Sequence, residues 1–208
     1  MKILICDDHK IVREGLRQIL GHLSGITLIG EAGNGDEAID LLKKDDYNIL
    51  LLDISLPEKS GLEVLQAVKE RWPEINVLML SMLPQEQYAI RALKMGASGY
   101  LTKDTASEEL LLAVKKVSEG GKYISSSLAE GLAINLEKED YTTKHKILSA
   151  REFDILIKIA NGKSLQEIGN ELFISVKTVS TYRSRIMEKM ELSRNTELTR
   201  YCLENKLI

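Results

Sequence analysis

The stretch Asn48-Ile49-Leu50-Leu51-Leu52-Asp53-Ile54-Ser55-Leu56-Pro57 decides how the chain is read. Four consecutive apolar residues, 49–52, mark a strand buried on both faces, as in the middle of a parallel sheet. The strand stops on a carboxylate, and open α/β sheets gather their functional groups in the crevice outside such strand ends. The first strand repeats the pattern, since Lys2-Ile-Leu-Ile-Cys6 runs straight into Asp7 and Asp8. If the two strands are neighbours, three carboxylates converge, and like charges about 4 Å apart repel by roughly 4 kcal/mol per pair at an effective dielectric near 20. A divalent cation relieves that repulsion, and hard oxygen ligands with positions left for water and a phosphoryl oxygen suit Mg²⁺. A third apolar run, Val77-Leu-Met-Leu80, ends in Ser81, and a fourth, Gly99-Tyr100-Leu101, leads to Lys103. A hydroxyl and an ammonium thus join the acids.

Around this stretch, strand and helix alternate five times. The first helix places Ile11, Val12, Leu16, Ile19 and Leu20 on one face. A strand is expected over residues 26–29 and a helix from Gly35 through Leu42. Another helix runs from Ser60 to Arg71, with Leu62, Leu65 and Val68 inward, until Pro73 ends it. Residues 85–94 and 107–117 supply two further helices, the former closed by Gly96. This alternation predicts a doubly wound parallel five-stranded α/β sheet over residues 1–120, because right-handed crossovers put helices on both faces.

Asp7, Asp8, Asp53, Ser81 and Lys103, each at a strand end and in this order, resemble the receiver domain of two-component response regulators, a flavodoxin-like fold. The resemblance implies that Asp53 is the phosphoacceptor. It implies that Asp8, Asp53 and the backbone carbonyl of Ser55 ligate Mg²⁺, with Asp7 acting through water. It also implies that Ser81 and Tyr100 are switch residues and that Lys103 pairs with the phosphoryl group. A lone strand-end Asp is usually a helix cap or a solvated loop residue, but five residues in register ask for a common cause. His9, beside the acids, reads as a solvent-facing residue at a helix start rather than as a ligand.

The chain has 208 residues, 28% charged and 44% hydrophobic, the proportions of an ordinary globular protein. No run approaches the roughly 20 apolar residues of a membrane span, and Asp7 and Asp8 interrupt the N-terminus too early for a signal peptide. A cytoplasmic protein without a membrane partner is expected. Cys6 and Cys202 lie on buried faces without metal-ligand spacing and read as core packing. The net charge of −3 is unevenly spread, with residues 145–208 carrying +3 and the remainder −6. A modestly basic end on an acidic body fits nucleic-acid contact.

After Gly120-Gly121, residues 121–144 read as a linker with a short helix over 128–136. From Leu148 the pattern is helical throughout, giving an all-α domain at residues 145–208. Ser149-Ala-Arg-Glu152 and Ser164-Leu-Gln-Glu167 are capping boxes. Phe153, Leu156, Ile157 and Ala160 form an apolar face, Asn161-Gly162 closes that helix, and a third helix runs to about Met190. Two capped helices joined by a tight turn read as a helix-turn-helix. Leu148-Ser149-Ala-Arg-Glu152, Ile159-Ala-Asn-Gly162, Glu167-Ile168, Ile174-Ser175, Lys177-Thr178-Val179, Ile186 and Lys189-Met190 resemble the NarL/FixJ, or LuxR-type, DNA-binding domain.

On the third helix, Val179, Ile186 and Met190 face inward, with Tyr182 and Arg183 on the same side. Lys177, Ser180, Thr181, Ser184 and Glu188 line the other face, where short hydroxyls allow close approach to base edges and Lys177 reaches guanine or phosphate. Thr178, Tyr182 and Arg185 flank that face and fit phosphate contacts. Arg183 departs from the family pattern and is expected to snorkel, pair with an acid or reach the backbone.

The expectation is therefore a response regulator, not an enzyme beyond its own phosphotransfer and dephosphorylation. A histidine kinase or a small acyl phosphate phosphorylates Asp53, and this switches homodimerisation and binding to duplex DNA. Two rivals are an aspartyl-phosphate phosphatase and a protein-interaction module without DNA binding. The phosphatase reading asks for an acid two residues after Asp53, where Ser55 stands. The interaction module would show no salt-dependent duplex binding.

Overall fold

The computed structural model describes residues 1–82, 86–103, 107–125, 129 and 144–208. The chain divides into two compact units, Met1–Glu137 and Lys138–Ile208. In the first, the order is β1 (Lys2–Cys6), α1 (Lys10–Leu20), β2 (Leu28–Ala32), α2 (Gly35–Leu42), β3 (Ile49–Asp53), α3 (Gly61–Arg71), β4 (Asn76–Ser81), α4 (Glu86–Lys94), β5 (Gly99–Thr102), α5 (Ser107–Ser118) and β6 (Tyr123–Ile124). Every pairing is parallel, in the order β2-β1-β3-β4-β5-β6.

The sheet thus has six strands where the sequence predicts five. β6 is only two residues long and follows the paired glycines, so it carries no readable period and the expected boundary at residue 120 stops short of it. β2 also lies two residues beyond its expected start, because its position is set by pairing Lys2 with Leu28 across β1 rather than by its own apolar run. It is an edge strand, mostly half-exposed. On α1, Leu20 is buried and Leu16 and Ile19 pack partly against the core, but Ile11 is 84% exposed. Val12 is half-buried, so of the predicted inward stripe of α1 it is Ile11 that faces solvent.

The strand order reverses between β1 and β3, so the chain leaves the sheet centre in opposite directions there. This is the switch point where open α/β sheets form a crevice. Residues 49–52 are wholly buried, and each such side chain contributes about 1.5–3 kcal/mol relative to exposure. The end of β3 is held by a close approach: Gly61 N–H donates to the Ile54 carbonyl at 2.8 Å. A Cβ at Gly61 would lie 2.0 Å from the Asp53 carbonyl oxygen. Ser60 and Glu63 then cap α3 reciprocally.

The described residues of the second unit begin with a 3₁₀ turn, Lys144–Ile147, followed by α6 (Ala150–Ala160), α7 (Leu165–Glu171), α8 (Val176–Met190) and α9 (Asn195–Glu204). Both predicted capping boxes form, at Ser149 with Glu152 and at Ser164 with Glu167. Phe153, Leu156, Ile168, Val179, Ile186, Met190, Leu198 and Cys202 make its core. Of the linker helix expected over 128–136, only Ala129 falls within the described residues. No helix among the described residues is long and apolar enough to cross a membrane.

Candidate metal centre and nucleic-acid interface

Pairing of Cys6 with Leu52 brings the ends of β1 and β3 level, so Asp7 and Asp53 meet. Asp7 is 0% and Asp53 1% exposed. From the end of β5, Lys103 places Nζ 2.7 Å from Asp7 Oδ2 and 2.8 Å from Asp53 Oδ2. Asp8 is less enclosed, its side chain 27% exposed, with Oδ1 2.8 Å from His9 Nδ1. His9 is the N-cap of α1 and its side chain is 64% exposed, in the solvent-facing place expected. Ser55, exposed, follows Asp53 by two residues.

Burial pushes the Asp53 carboxyl above the ordinary carboxylate range, with the Lys103 ammonium opposing the shift only in part. Burial pulls the Lys103 ammonium down, but the Asp53 and Asp7 carboxylates outweigh that and hold it above its usual value. One cation does not balance this cluster. Asp7 Oδ2, Asp8 Oδ1 and both carboxylate oxygens of Asp53 are buried, and the three acids share the Lys103 ammonium and the exposed His9 ring. Ligand atoms of Asp7, Asp8, His9 and Asp53 all lie within 4.8 Å of one another. An oxygen-rich, under-neutralised cluster of this size fits a hard divalent cation.

Ser81, at the end of β4, is 8% exposed, and Tyr100 on β5 is 3% exposed. Burial pushes the Tyr100 hydroxyl up to about 12, against the pull of its hydrogen bond with Ser81. Tyr100 lies inward against Ser81 in this structure. Arg13, not among the residues expected at this site, donates from Nη1 to the Asp7 carbonyl at 2.7 Å. Its signal was present: Arg13, Leu16 and Leu20 share the core-facing spacing of α1.

In the second unit, Lys177, Thr178, Thr181, Ser184 and Arg185 on α8 are exposed, and Ser180 and Tyr182 are half-buried. Several hydroxyls are engaged within the helix. Thr178 Oγ1 shares a hydrogen bond with the N-cap Ser175 Oγ, Thr181 Oγ1 donates to the Lys177 carbonyl, and Ser184 Oγ donates to the Ser180 carbonyl. The Arg185 guanidinium lies 6.0 Å from the Tyr182 ring centroid, a cation–π distance. Arg183 takes a course the sequence reading did not foresee, donating from Nε to the side-chain oxygen of Asn195 at 2.6 Å. It ties α8 to the start of α9.

Residues 3–115 match the model of the response regulator receiver domain, and residues 146–202 match that of the luxR family of bacterial regulatory proteins. The chain is 37% identical to oxygen regulatory protein NreC of Staphylococcus epidermidis over 216 residues, covering 100% of this chain and 99% of that protein. Among solved structures it is similar to the RcsB response regulator of Salmonella typhimurium, with TM-score 0.63, 26% identity, and coverage of 97% of this chain and 98% of that one. A complex of the two-component response regulator RcsB with DNA is similar at TM-score 0.62 and 27% identity, covering 97% of this chain and 96% of that one.

Proposed function

The chain belongs to the transcriptional response regulators that join a receiver domain to a LuxR-type DNA-binding domain, and from that premise we propose that phosphorylation of Asp53 switches its binding to duplex DNA. The observation that carries the reading is the cluster of buried, under-neutralised carboxylates around Lys103. Asp8, Asp53 and the Ser55 carbonyl would hold Mg²⁺, with Asp7 acting through water. When bound, the cation supplies charge neutralisation for the transferring phosphoryl group.

In the transfer, an Asp53 carboxylate oxygen forms the new bond to phosphorus. The bond from phosphorus to the donor, a kinase phosphohistidine or an acyl phosphate, breaks and its electron pair leaves with the donor. Lys103 then pairs with the phosphoryl oxygens. Ser81 turns its hydroxyl toward them, giving up Tyr100 and coupling the pocket to the surface beyond β4 and β5. The chemistry is limited to the protein's own phosphotransfer and dephosphorylation in the cytoplasm.

α8 would enter the major groove through Lys177, Ser180, Thr181 and Ser184, while Thr178, Tyr182 and Arg185 hold phosphates. A homodimer would present two such helices to half-sites about 34 Å apart. Dimerisation raises affinity through effective concentration, which a domain of modest charge needs. The domain limits we assign are 1–120 for the receiver, extended by β6, then a linker to 144 and the DNA-binding domain at 145–208.

Incubation with acetyl phosphate and Mg²⁺, followed by mass spectrometric mapping, tests the first half of this reading. Phosphate on the peptide carrying Asp53 supports it, and phosphate elsewhere or nowhere contradicts it. For the second half, duplex affinity should fall steeply with salt and drop on Lys177→Ala.

A further inference from the structure

Arg13 leaves α1 toward the base of the acidic pocket, its side chain only 16% exposed. The guanidinium is engaged at two points: Nη1 donates to the Asp7 carbonyl oxygen at 2.7 Å, and Nε donates to Glu31 Oε2 at 3.3 Å. Glu31 stands on β2 opposite Ile5 of β1, and its other oxygen lies 3.7 Å from Arg17 Nη1. A planar guanidinium fork makes both contacts in fixed directions, which a lysine ammonium does not.

Asp7 is consequently held at each of its polar atoms. Its N–H donates to the Ala32 carbonyl at 3.1 Å, and Oδ1 accepts from the His9 N–H at 2.8 Å. Oδ2 faces Lys103 at 2.7 Å, and the carbonyl accepts from Arg13. That last contact governs the next residue. The carbonyl of Asp7 and the N–H of Asp8 belong to one rigid peptide plane, so pinning the oxygen fixes the direction in which the chain delivers Asp8. The Asp8 carboxylate itself lies against the exposed His9 ring, Oδ1 2.8 Å from Nδ1.

We propose that Arg13, oriented by Glu31, is a positioning residue that sets the Asp7–Asp8 peptide plane and thereby the affinity of the pocket for Mg²⁺. This rests on reading the pocket as a Mg²⁺-dependent phosphoacceptor site. The ion pair with Glu31 offsets the repulsion a lone guanidinium would exert on a dication, leaving its directional effect.

Calorimetric titration of the full-length protein with MgCl₂, together with the Mg²⁺ dependence of acetyl phosphate uptake, tests this. Wild type binds the cation and takes up phosphate; if it does neither, both readings fall together. With wild type competent, Arg13→Met weakens Mg²⁺ binding about tenfold and raises the half-saturating Mg²⁺ concentration equally, while the rate at saturating Mg²⁺ stays near wild type. Arg13→Lys recovers part of the loss. Glu31→Gln, on the edge strand, gives a smaller loss of the same kind, and adding it to Arg13→Met changes nothing further, because Glu31 acts through Arg13. A purely structural role would lower the melting temperature without moving the half-saturation point. Unchanged Mg²⁺ affinity in a folded Arg13→Met protein, or in Glu31→Gln if Arg13→Met does not fold, overturns the proposal.

Discussion

Two buried carboxylates in this chain have opposite fates. Asp53, at the end of β3, is 1% exposed, and burial holds its carboxyl above the ordinary range despite Lys103. Glu152, in the first turn of α6, is 3% exposed; burial pushes its carboxyl up too, but Lys189 and the Ser149 cap more than reverse the shift and leave it depressed. Glu152 Oε2 accepts from the Ser149 N–H at 2.7 Å and from Lys189 Nζ at 2.7 Å, so its charge is satisfied by its own domain. Asp53 shares the Lys103 ammonium with Asp7. A carboxylate that folding satisfies is part of the scaffold, whereas one that folding leaves short of positive charge is suited to recruiting a ligand.

The largest test of this contrast is Asp53→Asn. It should abolish phosphate uptake from acetyl phosphate, measured by intact-protein mass spectrometry, while raising the melting temperature of the metal-free receiver because one of the mutually repelling charges is gone. A variant that lost uptake and also lost stability would place Asp53 with Glu152 as a structural group. Next in size, Mg²⁺ at a hundred times its Kd should stabilise the receiver by about 2.7 kcal/mol, and Asp53→Asn should remove most of that gain in a melting experiment.

Glu152→Gln should act in the other direction, costing the DNA-binding domain about 2 kcal/mol through the lost charge-assisted bonds, read by denaturant unfolding. The smallest effects are those of pH on metal-free protein. A raised carboxyl pKa contributes stability that is present below its unfolded value, near 3.8 for Asp53, and lost as pH rises through the folded one. At neutral pH wild type is thus less stable than Asp53→Asn, and the gap closes on acidification above that value. Glu152, depressed, contributes stability present above its unfolded value, near 4.5, and lost as pH falls through the folded one. Its gap to Glu152→Gln closes below 4.5. The two gaps have opposite signs and close in different ranges.

The acidic pocket was legible because strand ends are set by the backbone: an apolar run followed by a polar residue says where the side chain emerges. The capping boxes at Ser149 and Ser164 were legible because each motif satisfies its own local hydrogen bonds. What escaped depends on neighbours distant in sequence. β6 exists because Tyr123 and Ile124 extend the edge beside Gly99 and Tyr100, and Arg13 matters through Asp7 and Glu31 on two different strands. Arg183 looked misplaced on an apolar side until α9 supplied Asn195. The exposure of Ile11 was likewise hidden, since helical period gives a face but not where the sheet ends beneath it.

The most direct measurement is selection of duplexes from a genomic fragment pool by wild type and Asp53→Asn, each with and without acetyl phosphate and Mg²⁺. The account predicts that the phosphodonor strengthens sequence-selective binding by wild type and leaves the variant unchanged. Equal selection by both proteins, with no response to the phosphodonor, would contradict a switch at Asp53, and selection by neither would contradict the assignment of α8 to DNA.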